Sequence, residues 1–351
     1  MFLVVTGGGT GGHVYPALET AKAARERLGA RLLYLGAHRG QESGVCEREG
    51  IDFRGFDARP LYSLKQPRGW DSLVRLLIAS QRAKKALKEN RPDVVFSTGG
   101  YSAAPVMSAA RSLGIPYVIH EANSVPGRAN RMFAPGAAAF TCVFTETQRR
   151  IPTAVRTGQP IRRELREAAS LPRRETDTPL VICLGGSQGS VFLNEVVVKA
   201  APLLRSSADV VLAAGKGNFD KVAKSERIKV VPFLETPELV EAYRGASVAV
   251  ARSGGTLAEF ALFGLPSVLV PLPTSADDHQ LVNAQEFVAF KGAKLLRQDT
   301  ATPEALAGAV DDWLADDDAR ETARRALKEW DRPDATERIV EIVRNAAENG
   351  K

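Results

Sequence analysis

Two glycine-rich stretches determine the fold that this sequence predicts. Residues 4–13 read VVTGGGTGGH, and residues 183–189 read CLGGSQG. Each places a short apolar segment directly before glycines, and a stretch with helical periodicity follows. A strand, a tight glycine turn and a helix in that order open a Rossmann-like unit. The repetition therefore predicts two such units in one chain.

Further apolar runs recur in both halves, with helical patterns between them. Continuous apolar strands separated by helices are typical of a parallel sheet covered on both faces. The runs cover residues 3–5, 32–35, 94–96 and 117–119, and then residues 180–184, 210–212, 248–250 and 267–270. The pattern predicts the α/β class with two parallel sheets.

The chain has 351 residues, which exceeds the roughly 250–300 at which one hydrophobic core stops growing. We expect an N-terminal domain over residues 1–158 and a second domain over residues 159–334, because the TGQP segment at 157–160 interrupts helix formation. An amphipathic pattern over residues 335–351 predicts a last helix. It could pack on either domain, and a return to the first is our expectation.

Composition narrows the class of protein. Hydrophobic residues make up 44% and charged residues 25%, which is ordinary globular usage. No apolar run approaches the roughly 18–20 residues that span a bilayer, and the first residues lack a secretory signal, so we expect a cytoplasmic location. The net charge of +6 allows an acidic partner such as nucleic acid, anionic lipid or a phosphorylated substrate.

The sequence predicts neither a metal site nor a disulfide framework. Cys46, Cys142 and Cys183 are odd in number and far apart, and we expect reduced structural thiols. The acidic run at residues 316–318 lies in a polar helical stretch, so we interpret it as a solvated face. No metal cofactor is expected.

The first glycine loop alone leaves several ligands open. Its glycines at 7, 9 and 12 satisfy the dinucleotide fingerprint, but the expected acidic residue is missing at the end of the second apolar run, where residues 35–38 read LGAH. Arg39 could meet a 2′-phosphate, which keeps an NADP reductase as an alternative. His13 lies at the start of the following helix, where a neutral imidazole is a candidate proton acceptor.

The residues 8–16, GGTGGHVYP, resemble the first loop of MurG-type transferases. Further segments match that family in the same order along nearly the whole chain. They are GGYS at 99–102, HEAN at 120–123, TGQPIR at 157–162, GGSQG at 185–189 and HQLVNA at 279–284.

This resemblance implies a GT-B fold, in which two Rossmann-like domains with parallel sheets face each other across a cleft. It implies an inverting transfer of N-acetylglucosamine from UDP-GlcNAc to the C4 hydroxyl of the muramyl sugar in undecaprenyl-linked lipid I, which gives lipid II. UDP-GlcNAc is then a donor substrate, no cofactor is required, and nucleic acid is not a partner. The oligomeric state stays open.

The resemblance also implies the acceptor and catalytic residues. His13 is our first choice as general base, and Glu121 and Tyr101 are alternatives or supporting groups. The residues expected to line the acceptor side and reach the donor are Thr10, Gly11, Gly12 and Asn123.

The donor residues follow in the same way. Arg162, Ser187 and Gln188 are expected to hold ribose and phosphate in the second domain, and Leu234 to offer its backbone to uracil. Glu259 is expected to bind the ribose hydroxyls, and Gln280 and Asn283 the sugar hydroxyls. The segment RSGGTLAE at 252–259 is one residue shorter than is usual in the family, which affects the contacts of Thr256 and Leu257.

Two other functions fit part of this pattern. One is a different GT-B enzyme that uses a UDP-sugar, such as an epimerase or a glycolipid synthase, but the HEAN and GGY segments argue against it. The other is a non-catalytic module that binds a nucleotide-sugar. Loss of turnover with retained donor binding in a His13→Ala variant would exclude such a module.

A basic amphipathic stretch from residue 65 to 91 offers a membrane contact. Its apolar residues are Leu73, Val74, Leu76, Leu77 and Ile78, and its cations are Lys65, Arg68, Arg75, Arg82, Lys84, Lys85 and Lys88. A core-facing helix with a solvated basic side fits the same pattern. With the family resemblance, we expect the protein to lie peripherally on the inner face of the cell membrane, on anionic lipid.

Overall fold

The structure is a computed structural model of the full chain. It describes residues 1–9, 11–38, 40, 42–58, 67–186, 188–223 and 227–350. The chain forms two compact units: unit 1 comprises residues 1–162 together with residues 334–351, and unit 2 comprises residues 163–333. The predicted boundary followed residue 158, and the last helix belongs to unit 1.

Unit 1 contains a seven-stranded sheet in which every neighbouring pair is parallel. The strand order is β3-β2-β1-β4-β5-β6-β7. The strands are β1 (Phe2–Thr6), β2 (Arg31–Ala37), β3 (Asp52–Phe56), β4 (Val94–Ser97), β5 (Tyr117–Glu121), β6 (Ala139–Cys142) and β7 (Ala154–Arg156).

Helices cover the faces of this sheet, as a parallel sheet with apolar residues on both sides requires. They are α1 (Gly11–Leu28), α2 (Glu42–Arg48), α3 (Pro67–Asn90), α4 (Ala103–Ser112), α5 (Arg128–Phe133), α6 (Thr145–Arg150) and, from the end of the chain, α14 (Ala335–Asn349).

Unit 2 has a six-stranded parallel sheet in the order β10-β9-β8-β11-β12-β13. Counted from its own first strand, this is the Rossmann order 3-2-1-4-5-6. The strands are β8 (Leu180–Leu184), β9 (Asp209–Ala213), β10 (Ile228–Val231), β11 (Ala246–Ala251), β12 (Ser267–Leu269) and β13 (Ala293–Leu295). The helices are α7 (Arg163–Ala169), α8 (Val191–Ala200), α9 (Thr236–Gly245), α10 (Thr256–Phe263), α11 (His279–Ala289), α12 (Pro303–Leu314) and α13 (Asp317–Trp330).

Helix α14 completes one of the two cores of unit 1. Its buried residues Ile339, Val340 and Val343 join the cluster that contains Leu3 and Val5 of β1. This apolar stripe explains why the C-terminal segment belongs to unit 1, because leaving it in water would expose several large aliphatic side chains.

We expect Ile339→Ala to lower the free energy of unfolding of unit 1 by about 2–5 kcal/mol, because it removes buried methyl groups and leaves a cavity. Urea unfolding followed by circular dichroism measures the change. Glu348→Ala on the solvent side of the same helix is the control and is expected to have little effect. Equal losses in the two variants would contradict the packing of α14 in this core.

Candidate active site

Three loops lie at one edge of the sheet of unit 1. They follow β1, β4 and β5, which are neighbours in the parallel sheet. Because the carboxyl ends of parallel strands meet at the same edge, the glycine loop after β1 lies beside the segments that carry Tyr101 and Glu121. The side chains proposed as catalytic therefore lie on neighbouring loops at this edge.

The first two loops touch backbone to backbone. The Gly8 N–H donates to the Gly99 carbonyl at 3.3 Å. A Cβ on Gly100, whose φ is +85°, would lie 2.2 Å from the Gly8 carbonyl oxygen. No residue other than glycine fits this contact without moving one of the loops.

His13 lies in the first turn of α1 and is held by Thr98 at the end of β4. Its Nδ1 lies 2.8 Å from the Thr98 carbonyl oxygen, and the Thr98 hydroxyl donates to the His13 carbonyl at 2.8 Å. Because a carbonyl oxygen only accepts, Nδ1 carries the proton. In the neutral ring Nε2 is therefore the basic nitrogen.

Tyr101 packs its ring against Gly9, where a Cβ would lie 2.7 Å from the ring. Burial raises the pKa of the Tyr101 hydroxyl, and the carboxylate of Glu42 raises it further. The hydroxyl is therefore a neutral donor or acceptor at physiological pH. Glu42 itself is fully buried and accepts a hydrogen bond from the Gly9 N–H at 3.2 Å.

Glu121 is buried at the end of β5, and its carboxylate accepts hydrogen bonds from the segment that follows it. Its Oε1 accepts hydrogen bonds from the backbone and side-chain nitrogens of Asn123, at 3.0 and 3.4 Å. Its Oε2 accepts from the Gly127 N–H at 2.9 Å and from the Asn130 amide at 2.8 Å. With four donors the carboxylate is saturated, and it holds Asn123 in place.

His120, the residue before Glu121, is fully buried and hydrogen-bonded through both ring nitrogens. Its partners are the Thr141 hydroxyl at 3.0 Å and the Gln159 side chain at 3.3 Å. Burial lowers the pKa of His120 to about 4; Gln159 opposes this shift and the charge of His13 adds to it. The ring is neutral at physiological pH.

Arg162 lies in unit 1, not in the second domain where the resemblance placed it. Its guanidinium lies 5.4 Å from the centre of the Tyr15 ring in α1, two residues after His13. The segment after β7 thus carries Arg162 back to the helix of the first glycine loop. Among the other acceptor-side predictions, Gly11 and Gly12 form the start of α1, and Thr10 lies outside the described residues.

Unit 2 has its own glycine loop between β8 and α8. A Cβ on Gly189, whose φ is +73°, would lie 2.1 Å from the Ala214 carbonyl oxygen at the end of β9. Gln188 is exposed, and its carbonyl accepts from the Asn218 amide at 3.2 Å. Ser187 lies outside the described residues. Ser190 caps α8 by accepting from the Leu193 N–H.

Leu234 lies in the segment after β10, and its side chain is buried. Within the part of the chain that the structure describes, its backbone N–H and carbonyl have no hydrogen-bond partner. Both groups are thus available to a flat polar ring such as a pyrimidine base.

Glu259 is half-buried in α10, and its Oε2 accepts a hydrogen bond from the Tyr243 hydroxyl at 2.6 Å. Tyr243 is buried in α9, with its ring against Phe260 and Phe263. This packing fixes the orientation of the Glu259 carboxylate. Thr256 and the buried Leu257 form the first turn of α10 and have no side-chain cap.

Gln280 and Asn283 both contact the segment before α10. The Asn283 amide donates to the Ser253 carbonyl at 2.9 Å, and the Ser253 hydroxyl donates to the Gln280 carbonyl at 2.7 Å. The Gln280 Oε1 accepts from the Leu272 N–H at 3.0 Å. Asn283 is fully buried, so it holds the segment before α10 against the first turn of α11, which carries Gln280.

Sequence reasoning missed several residues that support these two half-sites. They are Thr98, Gln159, Tyr243 and Arg252, each far in sequence from its partner. An end-of-strand position was the only signal for Thr98, since carboxyl ends of strands carry ligand sites. Gln159 and Arg252 lie inside the TGQPIR and RSGGTLAE segments, but neither segment indicated their contacts. No local pattern marked Tyr243.

Other predictions concern cysteines, metals and membrane spans. All three cysteines are free and buried, and burial raises the pKa of the Cys46 and Cys183 thiols to about 12. Asp316 caps α13 by accepting from the Ala319 N–H. Among the described residues, no cluster of three potential metal ligands is present, and no helix is long and apolar enough to cross a membrane.

Comparisons with known proteins agree with two sugar-transferase domains. The model of the glycosyltransferase family 28 N-terminal domain matches residues 3–141, and that of the glycosyltransferase family 28 C-terminal domain matches residues 180–339. A crystal structure of Acinetobacter baumannii MurG has a TM-score of 0.77 and 28% identity over 98% of this chain and 99% of that one. The fold and the two half-sites thus define a GT-B glycosyltransferase.

Two relatives are similar over their full length. A protein of Lactococcus lactis subsp. cremoris is 33% identical over 98% of this chain and 99% of its own, and one of Bacillus licheniformis is 33% identical over the whole of both. Both are named UDP-N-acetylglucosamine–N-acetylmuramyl-(pentapeptide) pyrophosphoryl-undecaprenol N-acetylglucosamine transferase. The chain belongs to the MurG-type transferases of glycosyltransferase family 28.

His120 makes the stability of unit 1 depend on pH. The folded-state pKa, about 4, lies below the ordinary value of 6.5, so the unfolded chain binds the proton first as pH falls. Stability that is fully present above pH 6.5 is therefore lost toward pH 4. We expect His120→Gln to flatten the pH dependence between pH 7 and 4.5 by about 2–3 kcal/mol.

Urea unfolding at both pH values measures this difference. His38→Gln, which replaces an exposed histidine of the same unit, is the control and should keep the wild-type slope. A wild-type slope in His120→Gln would contradict the assignment.

Proposed function

We propose that this chain transfers N-acetylglucosamine from UDP-GlcNAc to the C4 hydroxyl of N-acetylmuramic acid in lipid I, with inversion. The product is lipid II, the lipid-linked precursor of peptidoglycan, so the enzyme serves cell-wall synthesis. Full-length similarity to the MurG-type transferases supports this reaction. An epimerase or a non-catalytic module explains neither the acceptor loops nor that similarity.

The hydrogen bond between His13 Nδ1 and the Thr98 carbonyl carries the catalytic proposal. It fixes the tautomer whose Nε2 accepts a proton. The acceptor hydroxyl gives its proton to Nε2 as its oxygen attacks the anomeric carbon. The bond from that carbon to the UDP oxygen breaks in the same step, and the diphosphate takes the electron pair.

The other two candidates have supporting roles. The Glu121 carboxylate already accepts four hydrogen bonds, so its role is to hold Asn123 toward the acceptor. The raised pKa of Tyr101 keeps its hydroxyl neutral, which suits it to hydrogen-bonding a sugar. Gly11 and Gly12 leave room for the acceptor beside the first turn of α1, and Thr10 is assigned to the same surface.

Unit 2 binds the donor. Leu234 offers its free backbone groups to uracil, and Glu259 accepts hydrogen bonds from the ribose hydroxyls. Thr256 and Leu257 lie in the first turn of α10, and Gln188 lies in the loop before α8. Helix N–H groups and the helix dipole attract a diphosphate without a metal, and Ser187 is assigned to the same role. Gln280 reads the sugar hydroxyls, with Asn283 holding the segment before α10 beside it. Arg162 is assigned to the donor as well.

A transfer assay tests the reaction. Purified protein is incubated with radiolabelled UDP-GlcNAc and a short-chain lipid I analogue, and the lipid product is separated. We expect label in that product only when the acceptor is present. Donor binding without transfer in the presence of acceptor would refute the proposed reaction.

We expect His13→Ala to lower kcat by about 10²–10⁴, the usual contribution of a general base, while the dissociation constant for UDP stays within about twofold. The acceptor assay and calorimetric titration with UDP measure the two effects. His38→Ala is the matched control for the loss of an imidazole. A fall in kcat below tenfold would exclude His13 as the base.

Helix α3 supports a contact with the inner face of the cell membrane. Trp70, Val74, Leu77 and Ile78 are spaced at three to four residues, and each is about half exposed or more. Ala79, Ala83 and Leu87 face the core instead. The exposed side continues with Arg82, Lys85 and Lys88. Of the other predicted cations, Lys65 and the side chain of Arg68 lie outside the described residues.

A large apolar side chain next to cations suits the boundary of an anionic bilayer, where each near-surface cation adds about 1 kcal/mol. We expect vesicles containing phosphatidylglycerol to sediment the protein at low salt and release it at high salt. Leu77→Gln should weaken this binding several-fold. Leu171→Gln on unit 2, where the side chain is 52% exposed against 60% for Leu77, is the control. Equal binding to neutral vesicles would refute the electrostatic contribution.

A further inference from the structure

Arg252 is a buried cation at the carboxyl end of β11. Only 7% of the residue is exposed, and its backbone N–H donates to the carbonyl of Leu184, the last residue of β8. Leu184 directly precedes the glycine loop of unit 2. The guanidinium is therefore buried beside that loop.

All five donors of the guanidinium are used, and every acceptor is neutral. Nη1 donates to the carbonyls of Val270 and Pro271 at 2.9 and 3.0 Å. Nη2 donates to the Ser190 hydroxyl at 2.9 Å and to the Gln298 side chain at 2.7 Å, and Nε donates to Ser190 at 3.3 Å. Phe192 lies under the cation at 5.8 Å.

No carboxylate of the described residues lies within 4 Å of this guanidinium. Other partly buried arginines of unit 2 have such partners: Arg166 pairs with Asp331, Arg320 with Asp317 and Arg324 with Glu321. An unpaired buried charge is costly, and burial accordingly lowers the pKa of Arg252. Each N–H donor of the guanidinium has an acceptor, but among the described residues no carboxylate balances its positive charge.

The surroundings of Arg252 favour an anion. Its partner Ser190 caps α8, so the guanidinium lies at the positive end of that helix dipole. A Cβ on Gly185 would lie 2.6 Å from the Ser190 nitrogen, so the loop closes directly onto this cap. The Arg252 guanidinium and the N-terminus of α8 are both positive, and both lie beside the same glycine loop. Among the described residues no carboxylate lies within 4 Å of the guanidinium.

We propose that the diphosphate of the donor nucleotide supplies the counter-charge that no described residue gives to Arg252. Arg252 acts through the loop and Ser190 as a positioning residue, and it sets the preference of unit 2 for a nucleoside diphosphate over a nucleoside. This inference rests on the proposed binding of UDP by unit 2.

The test compares UDP with uridine, because uridine carries the base and ribose but no phosphate. Calorimetric titration gives both dissociation constants for wild type and variants. We expect R252Q to weaken UDP binding by about tenfold or more and uridine binding by less than about twofold, because the lost term is electrostatic. R166Q, which removes a cation of the same unit that has its own carboxylate, should leave both constants unchanged.

A second variant avoids removing the buried side chain. Q298E places a carboxylate where Gln298 now accepts from Arg252, and so gives the guanidinium an internal counter-charge. We expect a higher melting temperature without ligand, and UDP binding about three- to tenfold weaker with uridine binding unchanged, because the carboxylate neutralises the cation and repels the phosphates.

Equal weakening of UDP and uridine in R252Q would overturn the inference, since it would show that Arg252 only supports the loop. Unchanged UDP binding in Q298E would overturn it as well. Failure of the proposed function gives a different result: wild-type protein that binds neither UDP nor UDP-GlcNAc would refute the donor half itself.

Discussion

The backbone contact between the first glycine loop and Gly99-Gly100 is the constraint on which the catalytic half of unit 1 depends. A Cβ at Gly100 would collide with the Gly8 carbonyl, and this close approach brings the end of β4 against the start of α1. At this strand end the Thr98 carbonyl lies 2.8 Å from His13 Nδ1. This hydrogen bond determines which nitrogen of His13 is basic, although the glycines beside it take no part in the chemistry.

The two glycine loops have similar sequences but different buried charges beside them. The loop of unit 1 lies on the carboxylate of Glu42, which accepts from the Gly9 N–H and whose Oε2 has no partner among the described residues. The loop of unit 2 lies on the cation Arg252. Because the helix dipole has the same sign at both loops, these side chains make the difference, and they favour the loop of unit 2 for the donor diphosphate.

Much of the fold could be predicted because a parallel strand that is buried on both faces appears in the sequence as a short continuous apolar run. The apolar runs that begin at residues 3, 94 and 180 all lie in strands that are buried on both faces. Strand β3 was missed because it lies at the edge of its sheet, where Asp52 and Arg54 face solvent and interrupt the apolar pattern. Strand β13, with three residues and a lysine at its centre, was missed for the same reason.

The candidate site was predictable only where a residue lies inside a motif. His13 follows from the glycine pattern, and Glu121 follows from the resemblance of the HEAN segment to the family. Contacts between distant segments do not follow, because the sequence does not show which loops touch: Gln159 reaches His120 across 39 positions, and Arg252 reaches Ser190 across 62. Arg162 shows the same limit, since its motif did not indicate that its guanidinium lies over the ring of Tyr15.

The buried acids of unit 1 show why residue type alone does not identify a base. Glu121 has the chemistry of a proton acceptor, but its two carboxylate oxygens already accept from four donors of its own loop and of α5. His13 has a single acceptor on one nitrogen, and among the described residues no group occupies the other nitrogen. The distribution of donors and acceptors, more than the chemical type of the side chain, assigns Glu121 to the scaffold and His13 to the reaction.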